Sequence, residues 1–102
     1  MRRSSDMKKE QKKDEVQKYL EVILIDFEHG TRTYHNVKMI RLKGKDSNLL
    51  IMVDYMPVIG ELHGRMTVVT DEDEIQFLDI KGFYMLKNNV FKLLIRENDY
   101  VE

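Results

Sequence analysis

The sequence predicts an all-β domain, an antiparallel β-sandwich of about eight to ten short strands. Three observations predict it. From Tyr19 onward, short runs rich in Val, Ile, Leu, Phe and Tyr recur along the chain. Clusters of Gly, Asn, Asp and Ser separate these runs, which is the punctuation of strands and turns. No stretch sustains a helical period for three turns, so no crossover helices are expected to alternate with the strands, which argues against a parallel α/β sheet.

The elements follow in order. YLEVILIDF (19–27) reads as a strand closed by Glu28-His29-Gly30, and TRTYHNVKMIRL (31–42) as a second extended stretch. The cluster GKDSN (44–48) is a turn in which Gly44 can take positive φ and Asp46, Ser47 and Asn48 can bond nearby backbone. LLIMV (49–53) is short and continuously apolar, as expected of a strand covered on both faces. The stretch YMPVIGELHGRM (55–66) then holds the single proline, Pro57, with Gly60 and Gly64, three breakers within eight positions. RMTVVT (65–70) and IQFLDI (75–80) are strands joined by the acidic run DEDE (71–74), an exposed hairpin tip whose charge resists edge association. KGFYMLK (81–87) and VFKLLIR (90–96) flank Asn88-Asn89, a pair that tolerates the left-handed conformation of tight hairpins. On the last strand Phe91, Leu93 and Ile95 alternate with Lys92 and Arg96, one buried face and one wetter face.

The chain divides into a charged arm (1–18), one sandwich domain (19–98) and a short tail (99–102). At 102 residues there is room for one domain with a modest core. The arm carries seven cations against four carboxylates, a net +3, and the remainder a net −4. With almost no apolar residues to pack, the arm reads as a solvated tail, disordered or weakly helical. It could also touch RNA or anionic lipid, but no aromatic is interleaved to stack on bases. There is no cysteine, which excludes disulfides, thiolate metal sites and a cysteine nucleophile. The apolar runs are far shorter than the ~20 residues of a membrane-spanning helix, and a cytoplasmic protein is expected.

Chemistry-bearing patterns are few. His29, His35 and His63 are scattered, without metal-ligand spacing. Ser4, Ser5 and Ser47 sit in the arm and in a turn, and no glycine-rich phosphate cradle is present. The expectation is a non-catalytic protein without cofactor or metal.

Three segments, in the same order, resemble the N-terminal β-sandwich domain of the epsilon subunit of rotary F-type ATP synthases. VKMIRLKGKDSNLLI (37–51) lies against that family's strand and acidic loop. YMPVIGEL (55–62) lies against its His-Ala-Pro-Leu-Leu segment, with Pro57 on the proline and Val58-Ile59 on the leucines. KGFYMLKNNVFKLLI (81–95) lies against its Gly-Gly-Phe strand and hairpin, with Gly82 on the second glycine and Asn88-Asn89 in place. The similarity spans about residues 20 to 97. There are departures. Tyr55 stands where the family has histidine, Ser47 and Leu50 replace loop glycines, and Gly64-Arg65 replaces a Pro-Gly turn. The family's regulatory C-terminal helices have no counterpart after Asn98, so an inhibitory or nucleotide-sensing role is not implied.

The resemblance implies a mechanical role, clipping the gamma subunit of the central stalk to the ring of membrane subunits during proton-driven ATP synthesis. It places the partner contacts at Asp46, Asn48, Tyr55, Met56 and Pro57. Pro57 would stiffen a loop end while the nearby glycines let the backbone turn sharply, so that Tyr55 and Met56 face the partner; alternatively both fill the core. Two other readings stand beside it: a free-standing adaptor of the same fold with a different protein partner, and a small β-domain binding nucleic acid through its arm. Gel shifts at low ionic strength test the second.

Overall fold

The computed structural model describes residues 18–45 and 48–98. Most of the arm, the tail, and Asp46 with Ser47 lie outside the described residues. The elements are β1 (Leu20–Asp26), β2 (Gly30–Gly44), β3 (Asn48–Met52), β4 (Val58–Thr70), β5 (Glu74–Lys87) and β6 (Val90–Asn98). They form one sheet in the order β1-β6-β5-β4-β2-β3, and β1 returns to pair with β2. Five strands thus close into a barrel, and β3 extends the sheet along the far half of β2.

The all-β class is as the sequence predicts, but among the described residues the expected eight to ten short strands of a sandwich become six, several of them long, closed as a barrel. The segments around 58–64 and 65–70 run on as one strand, as do 75–80 and 81–87. Closure comes through β1, which is antiparallel to β2 and parallel to β6. That parallel pair joins the first and last strands and sets Val22 beside Phe91 and Leu24 beside Leu93. All four side chains point inward and are fully buried. Closing the sheet removes the free edges that β1 and β6 would otherwise offer.

Long strands wrap a small barrel because they are bulged. Between Tyr34 and Val37 on β2 an extra residue enters opposite β1, and Asn36 there has φ 58°. Between Phe77 and Ile80 on β5 an extra residue enters opposite β4, and Asp79 has φ 55°. Asn and Asp accept the left-handed region at lower cost than other side chains, and each bulge bends its strand and deepens the twist.

Gly60 and Gly64 do not turn the chain, contrary to the sequence reading. Both sit inside β4, and neither has positive φ. Close approach explains them. A Cβ on Gly64 would strike the backbone carbonyl of Lys43 on β2, and one on Gly60 would strike the Tyr84 ring lying across it from β5. The expectation for LLIMV is also corrected. In β3 only Ile51 is fully buried, while Leu50 and Met52 are 45% and 50% exposed. β3 pairs with β2 along one side and covers the core with one face only.

The turns follow local chemistry. Lys87 pairs with Val90 across Asn88 (φ 52°) and Asn89 (φ 64°), the geometry of a two-residue hairpin turn of type I′. At the acidic tip, the Thr70 hydroxyl accepts the amide of Asp73 at 2.9 Å and that of Glu72 at 3.3 Å. At the β1–β2 turn the Asp26 carboxylate accepts the Glu28 amide at 2.9 Å and meets His29 Nδ1 at 2.8 Å.

Candidate functional site

The segment Val53–Pro57 links β3 to β4 at one end of the barrel, and its conformation is fixed by a partner far along the sequence. Asp54 has φ 66°. Its amide donates to Asn89 Oδ1 at 2.6 Å, and Asn89 Nδ2 donates back to Asp54 Oδ1 at 3.1 Å. Lys18 Nζ reaches Asp54 Oδ2 at 3.3 Å. The β5–β6 turn is tied in the same place to the start of β1, where the Glu21 amide donates to the Asn89 carbonyl at 2.9 Å. Asn89 therefore holds two junctions at once. Its amide hydrogen bonds, and then the Lys18 ammonium, hold the Asp54 carboxyl below the usual carboxylate range.

This latch has a pH signature. A carboxyl that titrates lower in the folded state than its unfolded value of about 3.9 stabilises the fold above that value. The contribution is lost as pH falls through the folded-state value. Amide exchange at Asp54 and Tyr55 is accordingly expected to be slow and steady from neutral pH down to about pH 4, after allowing for intrinsic rates, and to quicken below it. Asn89→Gly keeps the left-handed turn but deletes the amide, so it should loosen residues 53–57 with little change in thermal midpoint. Asn89→Ala strains the turn as well and should cost about 1 kcal/mol or more in a melt.

The candidate contact residues divide. Tyr55 is half-buried and packs against the core, and its nearness is a secondary cause, after burial, of the raised pKa of Tyr84. Met56 is 70% exposed and Pro57 is exposed. Asn48 is exposed at the opposite end of β3, so the strand separates it from Tyr55-Met56-Pro57. Asp46 lies outside the described residues. The histidines are not gathered: His29 is bonded in the β1–β2 turn, His35 stands 3.7 Å from Glu21, and His63 is exposed on β4.

A larger feature escaped the sequence reading. Beyond Pro57 the outward side of the barrel carries apolar side chains on four strands, with Glu61 opposite Phe83 and Lys92 opposite Met85 among them. Ile59 on β4 is 77% exposed and faces Met85 on β5, and Phe83 on β5 faces Leu94 on β6. Ile25 on β1 lies beside Leu94 and is half-buried. Charged groups rim this face. Arg96 lies over the Phe83 ring at 5.5 Å and within 3.9 Å of Glu61. The signal that could have found it is Leu94, which breaks the apolar–polar alternation of VFKLLIR at an outward position. Such a face, with the latched loop beside it, can bind by burial and shape.

Among the described residues, no helix is long and apolar enough to cross a membrane. No family model matches the chain, and no curated protein sequence matches it. Among solved structures, the chain is similar to one in the Tetrahymena thermophila mitochondrial ATP synthase, central stalk and c-ring, with a TM-score of 0.64 and 15% sequence identity. The match covers 79% of this chain and 66% of that one. At that identity the likeness shows the fold: this chain has the all-β architecture of a domain found in an ATP synthase central stalk and ring assembly.

Proposed function

We propose that this chain is a non-catalytic protein-interaction module of the rotor-stalk kind, joining a gamma-like stalk subunit to a ring of membrane subunits from the cytoplasmic side. The observation that carries the reading is the outward apolar face formed by Ile59, Phe83, Met85 and Leu94, continued by Met56. Apolar clusters rimmed by charge on an otherwise polar surface mark docking sites for proteins. The structural likeness to a chain of an ATP synthase stalk and ring supports the same reading. So does the colinear sequence resemblance to the epsilon family. In this proposal Met56, Pro57 and the exposed edge of Tyr55 extend the face, the Asp54–Asn89 latch holds them in place, and Asn48 with Asp46 forms a second contact beyond β3.

Retention of a gamma subunit on immobilised protein at low salt tests the proposal. Wild-type protein is expected to retain it. Phe83→Asp should release it by a factor of about 30 or more, the loss typical of a central aromatic anchor. Its thermal midpoint should stay near that of wild type, because Phe83 is already half exposed. A gamma subunit that flows through at low salt removes the stalk reading.

A further inference from the structure

We propose that the outer face where β2 meets β4, at the end away from the Asp54 latch, is a binding site for a phosphate-bearing anion. This goes beyond the stalk reading and does not depend on it.

The argument starts from strand register. Lys43 pairs directly with Arg65, and the next pair along the ladder is Gly44 with Gly64. The Lys45 amide then donates to the His63 carbonyl at 3.2 Å. Inward positions alternate with outward ones, so Lys43, Lys45, His63 and Arg65 all project from the same solvent face while Leu42, Leu62 and Met66 fill the core. Like charges directly opposite in an antiparallel ladder destabilise it. Here a cation faces a cation, with a third cation and a histidine two positions further on, past the glycine pair. No ion pair joins Lys43, Lys45 or Arg65 to a carboxylate among the described residues.

Shape makes the cluster a site rather than a stripe. The four basic residues border a cleft of about 500 Å³, which Gly44, Gly64, Leu78 and Asp79 complete. That volume falls within the range of small-ligand sites. Among the described residues, Asp79 is the single carboxylate in the lining. Its backbone is the bulged, positive-φ position of β5. Among the described residues, three cations against one carboxylate leave an excess of positive charge in a chain whose formal net charge is −1. A phosphate group concentrates charge and acceptor oxygens in one tetrahedron, which suits several donors converging over a concave floor better than a single carboxylate does. Arg65 can donate twice in a fixed fork, and the lysines act as mobile point charges.

Inorganic pyrophosphate is the probe. Thermal midpoints are measured at low ionic strength, with chloride added to match ionic strength between samples. Wild-type protein should show a saturable rise in midpoint. The double variant Lys43→Gln, Arg65→Gln should need at least about tenfold more pyrophosphate for half the effect. In plain buffer it should melt at or above the wild-type midpoint, since the opposed charges are gone. Both residues are exposed, so the variant folds. No rise with pyrophosphate, or an equal rise in both proteins, overturns the proposal, as does retention of polyglutamate without any response to pyrophosphate. Co-sedimentation with phosphatidylcholine vesicles containing phosphatidic acid separates the sources. Sedimentation reversed by pyrophosphate supports a lipid headgroup, and a midpoint rise without sedimentation supports a soluble phosphate.

Discussion

Phe91→Ala is expected to lower the free energy of unfolding by about 3–5 kcal/mol, measured by urea titration. Phe91 is fully buried in β6, the strand that closes the barrel. It pairs with Val22 of β1 on one side and Leu86 of β5 on the other, and its ring stacks on Tyr84 with centroids 5.6 Å apart. Removing the ring therefore opens a void at the seam. A closed sheet has little freedom to collapse into such a void, because each strand is held on both sides by a ladder of hydrogen bonds. A domain of this size has a total stability of about 4–12 kcal/mol, so the variant should stand close to its unfolding midpoint. Phe91→Leu, which restores most of the volume, should recover more than half of the loss. Phe83→Ala, on the outward face of β5, should stay within about 0.5 kcal/mol of wild type. Equal effects at Phe83 and Phe91 would contradict the assignment of inside and outside on which the docking face depends.

That contrast also shows what a reader of the sequence can and cannot see. Local chemistry was legible. Asn88-Asn89 announced its hairpin, and the acidic run its exposed tip, because the signal and the structure occupy the same few residues. The all-β class followed from many such signals agreeing. Long-range facts were not legible. The parallel pairing of β1 with β6 joins residues about seventy positions apart, and nothing in either segment specifies the other. Gly60 and Gly64 were misread for the same reason. A glycine inside a strand and a glycine in a turn look alike in sequence, and what distinguishes them here is a ring on β5 and a carbonyl on β2. LLIMV misled because continuous apolarity signals burial only when something covers both faces. At the site, Pro57 marked the loop correctly as a structural position. Its anchor, Asn89, is 35 residues from Asp54 and was recognised only as a turn former.

Gly82→Ala carries the second large effect, and it tests how the fold supports the docking face. Gly82 is buried in β5 opposite Ile95, at an irregularity in the β5–β6 ladder. A Cβ there would strike the backbone carbonyl of Leu94 and crowd the Cα of Ile95. Backbone cannot rotate aside as a side chain can, so the strands must part. The expected cost is about 3 kcal/mol, the upper end of what overpacking inflicts on a well-filled core. Gly60→Ala is the control. There the obstacle is the Tyr84 ring, which can swing on its side-chain bonds, and a loss of about 1 kcal/mol is expected. Hydrogen exchange distinguishes the two: Gly82→Ala should deprotect amides along both β5 and β6, and Gly60→Ala should leave them protected. The consequence for binding follows from register. Phe83 and Leu94 form the pair next to Gly82 and Ile95, so parting the strands separates the two side chains at the centre of the apolar face. Gly82→Ala should therefore weaken partner retention together with stability, whereas Phe83→Asp weakens retention alone. If Gly82→Ala melts with wild type and keeps its β5–β6 protection, the close strand approach is wrong, and with it the geometry that sets those two side chains side by side.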